Sequence, residues 1–188
     1  ATRAGDNVDR KWSDVGRSIG KAGLAIAGAA AGAAVGLLAL AERSAETGDE
    51  IAKTSKGLGI ASDDLQRLRF AAERSGGTAE GMTRALRVMT VGLQDAASKG
   101  TGPVAEGLDA IGLAAEELTG LGVEDQFRIM ADALLQVDDQ ATRSAIAMKL
   151  FGPRGGAALK PLLDEGSQGI RALGDEAERL GLVMEEDA

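Results

Sequence analysis

The chain has 188 residues, a formal net charge of −8, and neither Cys nor His. These absences exclude disulfides, thiolate and imidazole catalysis, and metal sites with Cys or His ligands. Aromatic residues make up 2% of the chain whereas Gly contributes 27 residues, a composition typical of closely packed helices rather than of an enzyme core. The acidic balance argues against specific nucleic-acid binding, which needs clustered Lys and Arg. This composition does not exclude catalysis by carboxylates or by Lys.

Residues 1–57 are predicted to form one long helix. At its centre, residues 22–41 carry no charge, and Gly28, Gly32 and Gly36 recur there at every fourth position. On a helix this spacing leaves a groove of bare backbone against which another helix can pack closely. The segment is long enough to span a bilayer, but its few large aliphatic residues contribute only about −2 to −4 kcal/mol to insertion. We therefore predict a helix-packing segment, with insertion into a membrane as the alternative.

A short motif occurs three times after residue 57, as LGIASDD at 58–64, IGLAAEE at 111–117 and LGLVMEE at 180–186. Its glycine can adopt the left-handed conformation just past a helix end, and its paired acids suit the positive N-terminus of the next helix. Each copy therefore predicts a helix end, a turn and a helix start. The third copy predicts a further helix over 185–188, which the sequence cuts short. The three turn glycines are Gly59, Gly112 and Gly181.

Short amphipathic helices are predicted between these turns, because apolar residues recur there at spacings of three and four. The last of them carries Ile170, Leu173, Ala177 and Leu180 on one face. No strand-like alternation is present, so the predicted fold is all-α, with a long helix over 1–57 and an array of helical hairpins over 58–184. Helix starts are predicted at Ser62, Thr78, Pro103, Asp138 or Asp139, and Ser167.

Candidate chemical sites have simpler structural interpretations. The glycine-rich segment 152–156 lacks the preceding strand and the Lys-Ser/Thr of a phosphate-binding loop, so we interpret it as a turn between helices. Adjacent acids such as Asp63 and Asp64 point about 100° apart on a helix and do not converge as catalytic pairs. The methionines occupy helical stripe positions and are interpreted as core residues. We therefore expect a non-enzymatic protein that needs neither a cofactor nor a metal.

Three ordered blocks resemble the tail tape measure proteins of long-tailed bacteriophages and prophages. They are residues 48–86, residues 108–121 and residues 145–184, and an apolar Ala/Gly-rich segment precedes them, as is usual in that family. The third block contains the most family-specific pattern. Its residues are Leu150, Phe151, Gly152, Pro161, Leu162 and Leu163.

The resemblance implies a structural role. Proteins of this family lie as several copies in the lumen of the tail, where their length sets the length of the tube, and they leave with the genome at ejection. For this chain it implies one segment of a longer protein, located in the virion and, during assembly, in the host cytoplasm. The implied partners are copies of itself, as a trimer to hexamer, the tail tube protein and the baseplate hub or tail tip proteins. In the alternative, a host membrane is the partner of residues 22–41.

Overall fold

The computed structural model describes residues 48–183 of the chain. Every regular element in this part of the chain is a helix. The all-α prediction is therefore confirmed. The predicted packing glycines Gly28, Gly32 and Gly36 and the predicted helix over 185–188 lie outside the described residues. The described helices are α1 (residues 48–58), α2 (Ser62–Arg74), α3 (Ala79–Lys99), α4 (Pro103–Ala110), α5 (Ala115–Thr119), α6 (Val123–Leu135), α7 (Gln140–Phe151), α8 (Pro153–Ala158), α9 (Lys160–Asp164) and α10 (Gly166–Arg179).

Three of the predicted helix starts are confirmed. The Thr78 hydroxyl accepts a hydrogen bond from the Gly81 amide at the start of α3, and the Asp139 carboxylate accepts one from the Thr142 amide at the start of α7. Pro103 is the first residue of α4, where its missing N–H costs nothing.

The helices predicted to start at Ser62 and Ser167 begin at Ser62 and at Gly166, but neither serine side chain caps its helix. Ser62 is the first residue inside α2, and its hydroxyl lies 2.9 Å from that of Ser55 instead of capping the helix. Ser167 lies in the first turn of α10, where its amide donates to the Asp132 carboxylate at 2.7 Å. In both cases a contact with a neighbouring helix replaces the local bond that the sequence suggested.

The three turn glycines share one geometry. Gly59, Gly112 and Gly181 have φ values of +68°, +70° and +67°, which are left-handed values as predicted. In each copy the amide that follows the glycine donates to the carbonyl five residues earlier, the bond that defines a Schellman helix end. These bonds are Ile60 to Ser55 at 3.1 Å, Leu113 to Leu108 at 3.0 Å and Leu182 to Ala177 at 3.0 Å.

Helix α3 is the centre of the core. It packs against α2, α4, α5, α6, α7 and α8, and Met82, Leu86 and Met89 on its inner face are fully buried. The two largest buried side chains, Phe127 and Phe151, meet beside it with ring centroids 5.3 Å apart. A long helix with one apolar face thus organises six shorter neighbouring helices into one core.

Small residues set the distance between the helices around α3. A Cβ on Gly156 would lie 2.6 Å from the carbonyl carbon and oxygen of Ala147, and a Cβ on Gly155 would lie 2.9 Å from that of Ala85. The predicted turn at 152–156 is therefore shorter than expected: Gly152, with φ +79°, makes the turn, whereas Gly155 and Gly156 lie inside α8 as packing residues.

Gly156→Ala should destabilise the protein by about 1–3 kcal/mol, because the added methyl meets backbone that cannot move aside cheaply. Gly57→Ala is the matched control, since Gly57 is also helical but a Cβ there has nothing within 4 Å. That variant should be neutral or stabilised by up to about 1 kcal/mol through helix propensity. Urea unfolding followed by circular dichroism measures both; equal stabilities of the two variants would contradict the close packing of α7 and α8.

Candidate functional site

An apolar groove opens on the surface between α3, the start of α4 and the end of α7. Its volume is about 720 Å³, which is within the range of ligand and peptide sites. We call it the α3–α4–α7 groove. It is lined by Arg87, Val88, Val91, Gly92, Asp95, Thr101, Gly102, Pro103, Val104, Met148, Lys149, Gly152 and Pro153.

Two glycines shape the floor and one end of the groove. A Cβ on Gly92 would lie 2.2 Å from Cγ2 of Val104, so only glycine lets α4 approach α3 this closely. At the end of the groove, the left-handed turn at Gly152 brings the chain against Val88, whose Cγ2 lies 3.3 Å from where a Cβ would be. The groove is therefore built into the packing of the helices rather than left by a loop.

Large apolar side chains are exposed along this groove. Val88 is 37% exposed, Val91 60% and Met148 40%, whereas the inner faces of α3 and α7 are buried in the core. The interpretation of Met148 as a core residue was therefore wrong, while Met82, Met89 and Met130 are fully buried as predicted. Apolar groups grouped in a concave surface are typical of an interaction site.

The charges along the groove are unevenly paired. Lys149 binds Glu106 at 2.7 Å, a hydrogen bond that lowers the pKa of that carboxyl, and Asp95 binds Lys99 at 2.7 Å. By contrast Arg87 has no carboxylate within 4.0 Å among residues 48–183, and the same holds for Arg84, one turn earlier on α3, and for Arg154, next to Pro153. Of these three cations, only Arg87 lines the groove.

A charged cluster lies on another part of the surface and joins α2, α6 and α10. Arg67 donates to Asp64 on its own helix and to Glu178 on α10, and Arg128 donates to Glu124 at 2.8 Å and to Asp125. Burial lowers the pKa of Arg67, but the bonds to Asp64 and Glu178 raise it by more. We call this set, together with Asp63, the α2–α6–α10 cluster.

Glu124 is the titrating group of this cluster. Its side chain is only 17% exposed, and this burial, with a hydrogen bond to Asp64 and the charge of that carboxylate, raises its pKa to about 7, against the opposing charges of Arg128 and Arg67. Asp64 and Glu124 thus form a carboxylate pair between two helices, in which Glu124 holds a proton near neutral pH. The adjacent acids Asp63 and Asp64 do not form such a pair with each other; both face Arg67.

Four of the six predicted family-motif residues belong to the core. Leu150 and Phe151 end α7 and are fully buried, and Leu162 and Leu163 on α9 are 0% and 3% exposed. Pro161 lies in the first turn of α9. Of the six motif positions only Gly152 touches the groove.

Sequence reasoning missed both surface features. Val88 and Val91 lie off the apolar stripe of α3, so its periodicity predicts that they face outward but not that they line a groove with Met148. Asp64 and Glu124 are 60 positions apart, and only the packing of α2 against α6 brings them together. Within residues 48–183, no three carboxylates are arranged to hold a metal ion, and no helix is long and apolar enough to cross a membrane.

Comparisons with protein-family models, with curated proteins and with solved structures gave no match to this chain.

The stability of the protein should fall as the pH rises from 5.5 to 8. Between pH 4.5, the ordinary pKa of a Glu carboxyl, and the folded-state pKa of about 7, the folded protein binds a proton that the unfolded chain releases. Raising the pH through this window therefore costs roughly 1–3 kcal/mol of stability. Urea midpoints measured across this range test the prediction.

Glu124→Gln is the matched variant, because it keeps the side-chain shape and cannot titrate. Its stability should be nearly flat over the same pH range. A wild-type stability that is flat or increases from pH 5.5 to 8 would refute the assignment of this proton to Glu124.

Proposed function

We propose that this chain is a segment of a bacteriophage tail tape measure protein, with a structural and non-enzymatic role in the tail. The observation that carries the proposal is the order and spacing of three sequence blocks, residues 48–86, 108–121 and 145–184, that resemble this family. Each block alone is an ordinary Ala- and Leu-rich helical sequence, so the resemblance depends on the order of the blocks.

The helical architecture supports this role. The three blocks fall on α1–α3, on α4–α5 and on α7–α10, which are elements of one shared core. Their most family-specific residues, Leu150, Phe151, Leu162 and Leu163, pack inside that core. A motif whose residues pack in the core is consistent with a structural rather than a catalytic role.

The surface also supports a role in association. The α3–α4–α7 groove is mainly apolar and exposes Val88, Val91 and Met148. Enzyme sites place converging polar groups in such a groove, whereas here two of the charged lining residues, Asp95 and Lys149, are each held in an ion pair with a residue outside the lining. Apolar exposed grooves are typical of protein–protein contact.

The proposal is tested in a virus or prophage that encodes the chain. The protein should be recovered from purified particles, and an in-frame deletion of residues 58–183 should shorten the tail seen by electron microscopy. The shortening should be ~190 Å if the segment is stretched as continuous helix in the tube, and ~35–40 Å if it stays folded as a unit of this size.

Tails of unchanged length after this deletion would contradict a length-setting role, and absence of the protein from purified particles would contradict a role in the virion. Leu121→Ala, at a 41% exposed position outside the groove and the cluster, serves as the control and should leave tail length unchanged.

A further inference from the structure

One strip of the central helix α3 is left uncovered by the helices around it. The inner residues of α3 pack against six other helices, but between residues 84 and 98 its exposed residues recur at spacings of three and four, which places them on one outer face. The strip consists of Arg84, Arg87, Val88, Val91, Gln94, Asp95 and Ser98. Its two valines also line the α3–α4–α7 groove, so the apolar part of the strip opens into that groove.

Two charged residues of the groove lining stand on either side of Val91. Arg87 is four positions before Val91 and Asp95 is four positions after it, so each lies about one helical turn away on the same face. Arg87 has no carboxylate within 4.0 Å among residues 48–183. Asp95 pairs with Lys99 of its own helix in an exposed contact, which stabilises little. The third charged residue of the lining, Lys149, is already paired with a carboxylate of α4.

This order of a cation, an apolar residue and an anion is complementary to itself. When two α3 helices cross antiparallel at Val91, a two-fold rotation places each Arg87 opposite Asp95 of the other copy, so the crossing contains two pairs of opposite charge. Helices that pack through rows of i, i+4 residues cross at about 50°. Side chains about two turns from the crossing, such as Arg84 and Lys99, therefore lie outside the contact.

We propose that the α3–α4–α7 groove is the contact between two copies of this chain, which pair as a two-fold symmetric dimer through their α3 helices. Val91, 60% exposed, enters the groove of the other copy beside Val88, and Arg87 binds Asp95 across the symmetry axis. Burial of the valines supplies attraction, and the two charge pairs set the antiparallel orientation. Because both copies contribute the same surface, the contact closes at two copies.

The contact goes beyond the proposed function and does not depend on it. A surface formed by one helix face and its groove is small, which is typical of weak interfaces. Such a contact becomes populated at high concentration, or when another part of the chain holds copies together and so raises their effective concentration. Chemical cross-linking of the full-length chain detects this contact whether or not the copies also associate elsewhere.

The chain contains no Cys, so one introduced cysteine reports one position. Under mild oxidation, full-length Val91→Cys should form a disulfide-linked dimer, because the two thiols lie near the symmetry axis. Full-length Leu121→Cys is the matched control, since Leu121 is also exposed but lies outside the groove. The Val91→Cys dimer should exceed the control dimer by about tenfold, because a disulfide needs Cα atoms within ~7 Å.

Charge reversal tests the orientation of the two helices. Added to the Val91→Cys chain, Arg87→Glu brings carboxylates together across the axis and Asp95→Arg brings guanidinium groups together. Each variant alone should therefore give severalfold fewer dimers. An equal mixture of the two variants should restore dimers to the level of Val91→Cys, because both pairs across the axis again have opposite charges. Intact mass distinguishes the mixed dimer from the two homodimers, and circular dichroism checks that every variant is folded.

The proposal is overturned if Val91→Cys cross-links no more than Leu121→Cys, or if the mixture of reversed chains gives no excess of mixed dimer. A Val91→Cys chain that stays monomeric and resists a maleimide would show that another segment of the same chain covers the groove, and this also overturns the proposal. The cross-linking uses purified chain, so its failure leaves the tail-length test of the proposed function unaffected.

Discussion

The close approach of helices through glycine and alanine is the constraint on which the rest of this structure depends. With few aromatic residues available, the core gains its packing density from short distances between backbones rather than from bulky side chains. Gly156 against Ala147 and Gly155 against Ala85 bring α8 against both α7 and α3. A long central helix can then be surrounded by helices that are individually too short to be stable alone.

The same constraint produces the surface that we consider functional. Gly92 allows Val104, and with it the start of α4, to sit directly on α3. The groove beside this contact keeps Val88 and Val91 in reach of solvent. Ion pairs also join α10 to α2, as Arg67 binds Glu178 and Arg74 binds Glu176 at 3.3 Å. The folded unit thus combines an apolar groove with ion pairs between its surface helices.

Much of the local structure follows from sequence because its causes are local. Caps at Thr78 and Asp139 and the left-handed Gly59 and Gly112 depend on residues within five positions of each other. The features that could not be predicted depend on tertiary contacts. The amide of Ser167, for example, donates a hydrogen bond to the carboxylate of Asp132 on α6. Met148 faces a groove whose other wall is 50 to 60 residues away. Asp64 and Glu124 likewise meet only because α2 packs against α6, so neither local sequence predicts the raised pKa of Glu124.

Amide hydrogen exchange of the full chain tests most directly the claim that α3 and its close-packed neighbours hold the fold together. The account predicts that the amides on the inner turns of α3, around Met82 to Leu93, exchange most slowly and only through global unfolding. The short helices α5 and α9 should exchange faster through local opening. Exchange in α3 that is as fast as in α5 and α9 would contradict the account.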